Sequence, residues 1–87
     1  MKKIIKFEKD DCNQCVMVSN FFNEKSVSFE AINPFDHPGI AMQYKVRSVP
    51  TTILLNDDDE LMRIIGYQPN ELNQMIESLW DDNILRQ

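Results

Sequence analysis

Apolar residues recur along the chain at two spacings, and these separate the expected strands from the expected helices. Short β-prone runs predict four strands, at residues 3–7, 27–32, 51–55 and 61–65. Apolar positions at helical spacing predict three helices, at residues 12–24, 37–44 and 69–80. The predicted order of elements is therefore β-α-β-α-β-β-α.

The boundaries follow from residues that begin or end regular structure. Asp10 or Asp11 is expected to cap the first helix, because a carboxylate oxygen there accepts a free backbone N–H. The polar turn at residues 56–60 is expected to join the last two strands in a hairpin that Gly66 ends. Trp80 is expected to close over the core end of the last helix, and the tail after it to fray.

This order of elements determines the fold class. The first β-α-β unit must form a right-handed parallel crossover, and the last two strands an antiparallel hairpin. Together they predict an α/β fold with a four-stranded mixed sheet, the second strand near one edge and helices on both faces. A chain of 87 residues buries one core, so residues 1–87 are expected to form a single domain.

Composition and charge exclude several classes of function. Hydrophobic residues make up 43% of the chain and charged residues 26%, as in globular proteins. The longest apolar run, residues 15–18, is too short to span a membrane, and the N-terminus lacks the pattern of a secretory signal. The net charge of −5 disfavours a nucleic-acid partner. We expect a soluble, cytoplasmic monomer.

The chain has 2 cysteines, Cys12 and Cys15, at the expected junction of the first strand and the first helix. A helix N-terminus favours thiolate over thiol and should lower the pKa of Cys12, with Cys15 within bonding reach one turn on. The pair therefore favours redox chemistry, in which Cys12 attacks a disulfide and Cys15 resolves the mixed disulfide. Two inert core cysteines, or half of a zinc site, are the alternatives. Zinc needs about four ligands, and the chain has 1 histidine and no further cysteine.

The segment Ser48-Val49-Pro50-Thr51 carries a second signal. A proline at the start of an apolar strand cannot donate to the sheet ladder. A cis Val49–Pro50 bond would present the Val49 backbone to an extended substrate, which pairs with it as an added strand. An ordinary trans proline is the alternative, and the residues alone favour it.

The C-x-x-C pair, the Val-Pro-Thr segment and the late Gly66 together resemble the thioredoxin-like family over residues 3–80. The extra N-terminal strand and helix of full thioredoxins are missing, and the chain is similar to small phage and prophage redoxins. The resemblance implies a thioredoxin-like fold and a thiol–disulfide oxidoreductase with Cys12 as nucleophile, Cys15 as resolver and Pro50 cis. No metal and no cofactor beyond the redox-active disulfide is implied.

The resemblance also implies a substrate groove, which consists of Val49, Pro50, Gly66 and Tyr67. For Tyr67, plain packing against the core is an equal alternative. The implied partners are disulfide-containing protein clients, with ribonucleotide reductase as a candidate, and an electron donor of the thioredoxin reductase type.

Three departures from the family pattern concern the surroundings of the cysteines. Asp11 precedes Cys12 where thioredoxins carry Trp, and Asn13-Gln14 replaces Gly-Pro. Like-charge repulsion from Asp11 is expected to raise the pKa of Cys12, against the helix dipole. Lys6 aligns with a buried Asp of thioredoxins. A lysine that snorkels to solvent is the favoured interpretation, and a lysine that favours a thiolate is the alternative.

Two other functions remain open on the sequence. One is a glutathione-dependent glutaredoxin, although Gly66-Tyr67-Gln68 stands where glutathione grooves usually have a Gly-Gly or Cys-Asp patch. The other is a non-catalytic binding module of the same fold that uses Val49-Pro50 as a docking edge. The presence of both cysteines argues against that module.

Overall fold

The structure, a computed structural model, describes residues 1–81, and its elements follow the predicted order. The strands are β1 (Lys2–Phe7), β2 (Glu30–Ile32), β3 (Thr51–Asn56) and β4 (Asp59–Ile65). The helices are α1 (Asn13–Glu24), α2 (Pro38–Gln43) and α3 (Pro69–Trp80). Within the described span, no helix has the length and hydropathy needed to cross a bilayer. The tail was expected to fray over residues 81–87, and all of these except Asp81 lie outside the described residues.

The strands form one mixed sheet in the order β2-β1-β3-β4. β1 runs parallel to β2, with Ile5 opposite Glu30, and antiparallel to β3, with Lys6 opposite Thr52. β3 and β4 form the predicted antiparallel hairpin. β1 is thus an interior strand and β2 an edge strand, and the predicted fold class is confirmed.

The two faces of the sheet bury separate cores. Side chains alternate along β1, so Ile4 and Lys6 face α1 and α3 while Ile5 and Phe7 face α2. The core under α1 and α3 consists of Ile4, Val18, Phe22, Val27, Leu54, Ile64, Leu72, Met75 and Ile76. The smaller core under α2 consists of Ile5, Phe7, Ile32, Ala41, Ile53 and Leu55. Helices therefore cover both faces, as predicted.

The first two helices end in the same kind of turn, and this shortens the second predicted strand. Ser26, after α1, and Lys45, after α2, have left-handed φ angles of 56° and 57°. The residue after each, Val27 or Val46, donates its backbone N–H back into the helix at 2.9 Å, which is the Schellman arrangement. Val27 therefore closes the turn that follows α1, and β2 begins at Glu30, so the strand predicted from residue 27 is wrong over its first residues.

Three smaller features also differ from the predictions. α2 excludes His37 and Tyr44, which are its caps. The hairpin turn is tighter than expected because Asp57 has a left-handed φ of 55°, so β4 begins at Asp59, two residues earlier than predicted. The predicted packing of Trp80 is wrong: it is 59% exposed, and Leu79 packs against the core at that end of α3 instead.

An ion pair on β4 connects the hairpin to the end of α2. Arg63 donates to both oxygens of Glu60, at 2.8 and 2.9 Å, and to the carbonyl of Tyr44 at 2.5 Å. The hydrogen bond from Arg63, and then its charge, hold the pKa of Glu60 below the ordinary value of 4.5. The same hydrogen bond raises the pKa of Arg63 above its ordinary value.

Candidate active site

The two cysteines form a disulfide at the beginning of α1. Their Cα atoms are 5.2 Å apart. Cys12 is half-buried, whereas Cys15 is 2% exposed and lies on the core side of the helix. The backbone N–H of Cys15 donates to Sγ of Cys12 at 3.1 Å. Solvent therefore reaches Cys12, whose sulfur accepts a hydrogen bond of the kind that stabilises a thiolate.

Cys12 itself caps α1, so the predicted cap at Asp10 or Asp11 is wrong. Cys12 has the extended backbone of an N-cap residue, with φ −124° and ψ 102°. Asp11 has a left-handed φ of 55°, which turns the chain before the helix and leaves the capping position to the cysteine sulfur. Aspartate is among the few residues that visit this conformation readily. Asp11 remains next to the disulfide, and both line an open cavity at the surface.

Lys6 is buried, so the snorkelling interpretation is wrong. It lies on an interior strand beneath α1 and is 0% exposed. Its Nζ forms an ion pair with Oε1 of Glu8 at 2.5 Å and donates to the hydroxyl of Ser19. The ring centroid of Phe29 lies 5.3 Å from the same nitrogen. A buried ammonium needs such partners because its removal from water is costly.

The Lys6–Glu8 pair and the disulfide line one open cavity of about 300 Å³. Its charged and sulfur-bearing residues are Lys6, Glu8, Lys9, Asp10, Asp11, Cys12 and Cys15. Ser19, which accepts the Lys6 hydrogen bond, follows Cys15 by four residues, so the two occupy the same face of α1. The structure thus brings the predicted Lys6, Asp11, Cys12 and Cys15 together. Among residues 1–81, no group of three or more His, Cys, Asp or Glu side chains is placed to hold a metal ion.

The Val49–Pro50 peptide bond is cis, as the resemblance implied. Pro50 is buried directly before β3, and its carbonyl accepts the backbone N–H of Gly66 at 2.9 Å. Val49 is half-buried and precedes the paired part of β3, which begins where Thr51 meets Phe7. Because the cysteine loop leaves the sheet just after Phe7, both predicted features lie at the same end of the sheet.

Sequence reasoning missed Gln14, which connects the cysteine motif to the loop after β4. Its Oε1 accepts the backbone N–H of Tyr67 at 3.0 Å. Gly66 lies against the same atom, since a Cβ added there would be 3.0 Å from that oxygen. The φ of 82° at Gly66 also favours glycine. No pattern in the sequence marks Gln14, because its contact depends on how α1 meets this loop.

Tyr67 takes part in the site through its backbone, while its ring packs. The ring lies edge-on to Phe21, with centroids 6.3 Å apart, and is packed against the core under α1 and α3.

Glu8 is the second residue that sequence reasoning missed. Its signal was available, because Glu8 follows Lys6 by two residues, and such residues share one face of an extended chain.

The chain is similar to several known proteins, although no known family profile matches it. It is 38% identical over 78 residues to the SPbeta prophage-derived thioredoxin-like protein YosR of Bacillus subtilis, covering 88% of this chain and 98% of that protein. It is 25% identical over 75 residues to a thioredoxin of Staphylococcus aureus, covering 79% of this chain and 72% of the other. Among solved structures, thioredoxin NaTrxh of Nicotiana alata has a TM-score of 0.79 at 25% identity, over 90% of this chain and 72% of that chain.

Proposed function

Because the chain belongs to the thioredoxin-like proteins and is a thiol–disulfide oxidoreductase, we propose that it reduces disulfide bonds of protein clients, with Cys12 attacking and Cys15 resolving. The observation that carries this assignment is the unequal burial of the two residues. A client sulfur can reach the half-buried Cys12, whereas Cys15, at 2% exposure, is placed to react with a sulfur already bonded to Cys12. The helix N-terminus and the N–H of Cys15 favour the Cys12 thiolate.

The proposed reaction starts from the reduced dithiol and balances in two steps. The Cys12 thiolate attacks one sulfur of the client disulfide, and the other client sulfur leaves as a thiolate that takes a proton from water. Cys15 then loses its proton, and its thiolate attacks Sγ of Cys12 and releases the first client sulfur, which is protonated in turn. Two electrons pass to the client, and the Cys12–Cys15 disulfide is the oxidised product.

In this proposal the charged residues of the cavity tune the two thiols in opposite directions. The buried Lys6 ammonium favours the Cys15 thiolate when its proton leaves, and Glu8 offsets part of that effect from the side nearer to solvent. Asp11 is exposed and repels negative charge at Cys12, an effect that water and salt screen. Lys6 and Asp11 therefore act on the reaction indirectly, because they change how readily Cys15 and Cys12 form thiolates.

The client segment is proposed to extend along Val49, Pro50, Gly66 and Tyr67. Supporting this, the Val49 backbone precedes the ladder of β3, so within residues 1–81 it pairs with no other strand. An extended chain could use it as a sheet edge. The bond between Gly66 and Pro50, and the bond between Tyr67 and Gln14, fix this edge relative to the cysteines.

The finer identity of the partners belongs to the same proposal. An electron donor of the thioredoxin reductase type would restore the dithiol, and ribonucleotide reductase is the candidate client that small phage redoxins imply. The prophage origin of the Bacillus subtilis relative supports that candidate. The alternatives are a glutathione-dependent protein and a binding module without turnover.

An insulin-reduction assay with two donor systems separates these possibilities. One arm supplies thioredoxin reductase and NADPH, and the other supplies glutathione with its reductase. We expect turnover in the first arm, and none from the Cys12→Ser variant in either arm. Turnover in the glutathione arm alone would assign the glutaredoxin-type function. No turnover in either arm, with the fold intact by circular dichroism, would favour the binding module.

A further inference from the structure

A second open pocket, of about 400 Å³, lies beside the Val49 edge. Its apolar wall consists of Pro34, Phe35, Val46 and Val49. Phe35 is 77% exposed, so the apolar wall of this pocket is open to solvent. Lys9 lines both this pocket and the disulfide cavity, so the two are neighbours.

The charge of this pocket is opposite to that of the whole chain. The chain has 9 basic and 14 acidic residues, yet Lys9 and Arg47 line the pocket and no carboxylate does. Within residues 1–81, neither cation has an ion-pair partner. Glu8 and Asp10, which flank Lys9 in sequence, and Asp36, which follows Phe35, lie outside the lining. Two cations without partners beside an apolar surface favour a ligand that is both acidic and apolar.

The segments that form the pocket are held in place before any ligand arrives. The loop before β3 is fixed at one end by the turn in which Val46 donates to the end of α2, and at the other by Thr51, which donates to the Ser48 carbonyl at 2.7 Å. On the opposite wall, the N–H of Phe35 donates to the side chain of Asn33 at 2.9 Å. A pocket organised in advance binds with a smaller loss of conformational entropy.

From these observations we infer that the pocket is a specificity subsite for the client polypeptide. It takes a large apolar side chain of the client against Phe35 and Val46, and an adjacent Asp or Glu carboxylate between Lys9 and Arg47. The inference rests on the proposed function, because the same extended segment continues along Val49 to the sulfur that Cys12 attacks. The occupant is thus an acidic and apolar stretch next to the reactive cysteine of the client.

The test compares two peptides that differ in one charge. Both carry a cysteine followed by a short spacer, a leucine and either Glu or Lys, and both are linked through a disulfide to the same neutral thiol. The variants are Lys9→Gln and Arg47→Gln. The matched control is Lys45→Gln, which removes an exposed cation two residues before Arg47 that does not line the pocket.

We expect the wild-type protein to reduce the Glu peptide with the higher kcat/KM. Each pocket variant should lower that kcat/KM by about two- to fivefold, the size of a partly exposed ion pair, and leave the Lys peptide as fast or faster. High salt should reduce the preference in the wild type. Lys45→Gln should keep the wild-type preference.

A small neutral disulfide, hydroxyethyl disulfide, distinguishes a failure of the subsite from a failure of the proposed function. Reduction of this compound without discrimination between the peptides would overturn the subsite while leaving the proposed function intact. Pocket variants that slow glutathione disulfide but not the Glu peptide would also overturn it and assign the cations to glutathione. If no disulfide is reduced, the proposed function fails. The subsite is then tested by NMR titration of peptides with serine in place of cysteine, in which equal shifts at Phe35 for both peptides contradict it.

Discussion

The two faces of the sheet bury different kinds of residue. Under α2 the core is apolar, and the buried hydroxyl on that face, Thr51, donates to the carbonyl of Ser48. Under α1 and α3 the sheet also buries Lys6 and Thr52, which are cross-strand partners. The hydroxyl of Thr52 has no hydrogen-bond partner in the part of the chain that the structure describes.

We therefore expect the apolar face under α2 to contribute mainly to stability, and the polar residues on the other face to contribute mainly to the reaction. Phe7 and Lys6 are neighbours on the same strand and are both 0% exposed, so their position in the sheet does not explain their different character. Apolar residues in place of a buried ion pair are often as stabilising or more so. The polar residues lie on the face that carries the disulfide, and we expect changes there to alter reactivity more than folding.

The largest effect is expected from substitutions of the two cysteines on the disulfide face, which abolish the reaction. Cys12→Ser and Cys15→Ser should each abolish turnover, but only Cys15→Ser should accumulate a stable mixed disulfide, because its Cys12 can attack and nothing resolves the product. Mass spectrometry of the trapped adduct under non-reducing conditions checks this. Trapping that requires Cys12→Ser instead would reverse the roles of the two cysteines.

On the opposite face, Phe7→Ala should break the fold and spare the chemistry. Loss of a fully buried phenylalanine costs about 3–5 kcal/mol, measurable by denaturant unfolding. If that variant does not fold, Ile53→Val, in the same core, should cost about 0.5–1.5 kcal/mol. The rate of disulfide reduction per folded molecule should stay at the wild-type level. A rate that falls in proportion to stability would show that the two faces are not separate.

Lys6→Met sharpens the comparison from the polar side. We expect unchanged or higher stability, because the buried charge disappears and Glu8 can turn to solvent. Without the ammonium the Cys15 thiolate is less favoured, so the pH profile of turnover should shift to higher pH. Lys3→Met, on the same strand but with a side chain 58% exposed, is the control. Superimposable profiles for the wild type and Lys6→Met would mean that Lys6 has only a structural role.

Asp11→Asn tests a smaller electrostatic effect at the mouth of the cavity. Removing the carboxylate should lower the pKa of the Cys12 thiol, and less so at high salt. Stability should change little, since asparagine also accepts the left-handed conformation that Asp11 adopts. Ultraviolet absorbance of the thiolate across a pH titration of the reduced protein measures the shift. An unchanged or raised pKa would contradict the repulsion.

The smallest expected effect concerns the ion pair that joins β4 to the α2 side. The pKa of Glu60 is lower in the folded protein than its ordinary 4.5, so its contribution is complete above that value and is lost as the pH falls through the folded pKa. Glu60→Gln should therefore lower stability slightly near neutral pH and reduce the loss of stability on acidification. Thermal unfolding at several pH values measures both. Exposed pairs of this kind contribute little.

Hydrophobic spacing was sufficient for the order of elements, the hairpin and the placement of Cys12 and Cys15, because each depends on local periodicity. The burial of Lys6 could not be predicted from hydrophobic spacing. It depends on β1 being an interior strand, because the hairpin pairs with β1 on the side opposite β2. The start of β2 was predicted too early because the turn that ends α1 has Ser26 in a left-handed position, where glycine is the usual signal. The role of Gln14 depends on a contact between segments distant in sequence, which periodicity does not reveal.

Because Gln14 contacts the backbone of Gly66 and Tyr67, the two residues between the cysteines cannot be replaced without affecting the loop after β4. Replacing Gln14 with a residue that has no acceptor leaves the N–H of Tyr67 without its bond, and adding a side chain at Gly66 pushes on the amide oxygen. A protein engineer who transplants another dipeptide into this motif would thereby also rebuild the loop after β4. The cysteine motif and this loop lie more than fifty residues apart in sequence but are joined by one hydrogen bond, so they must be altered together.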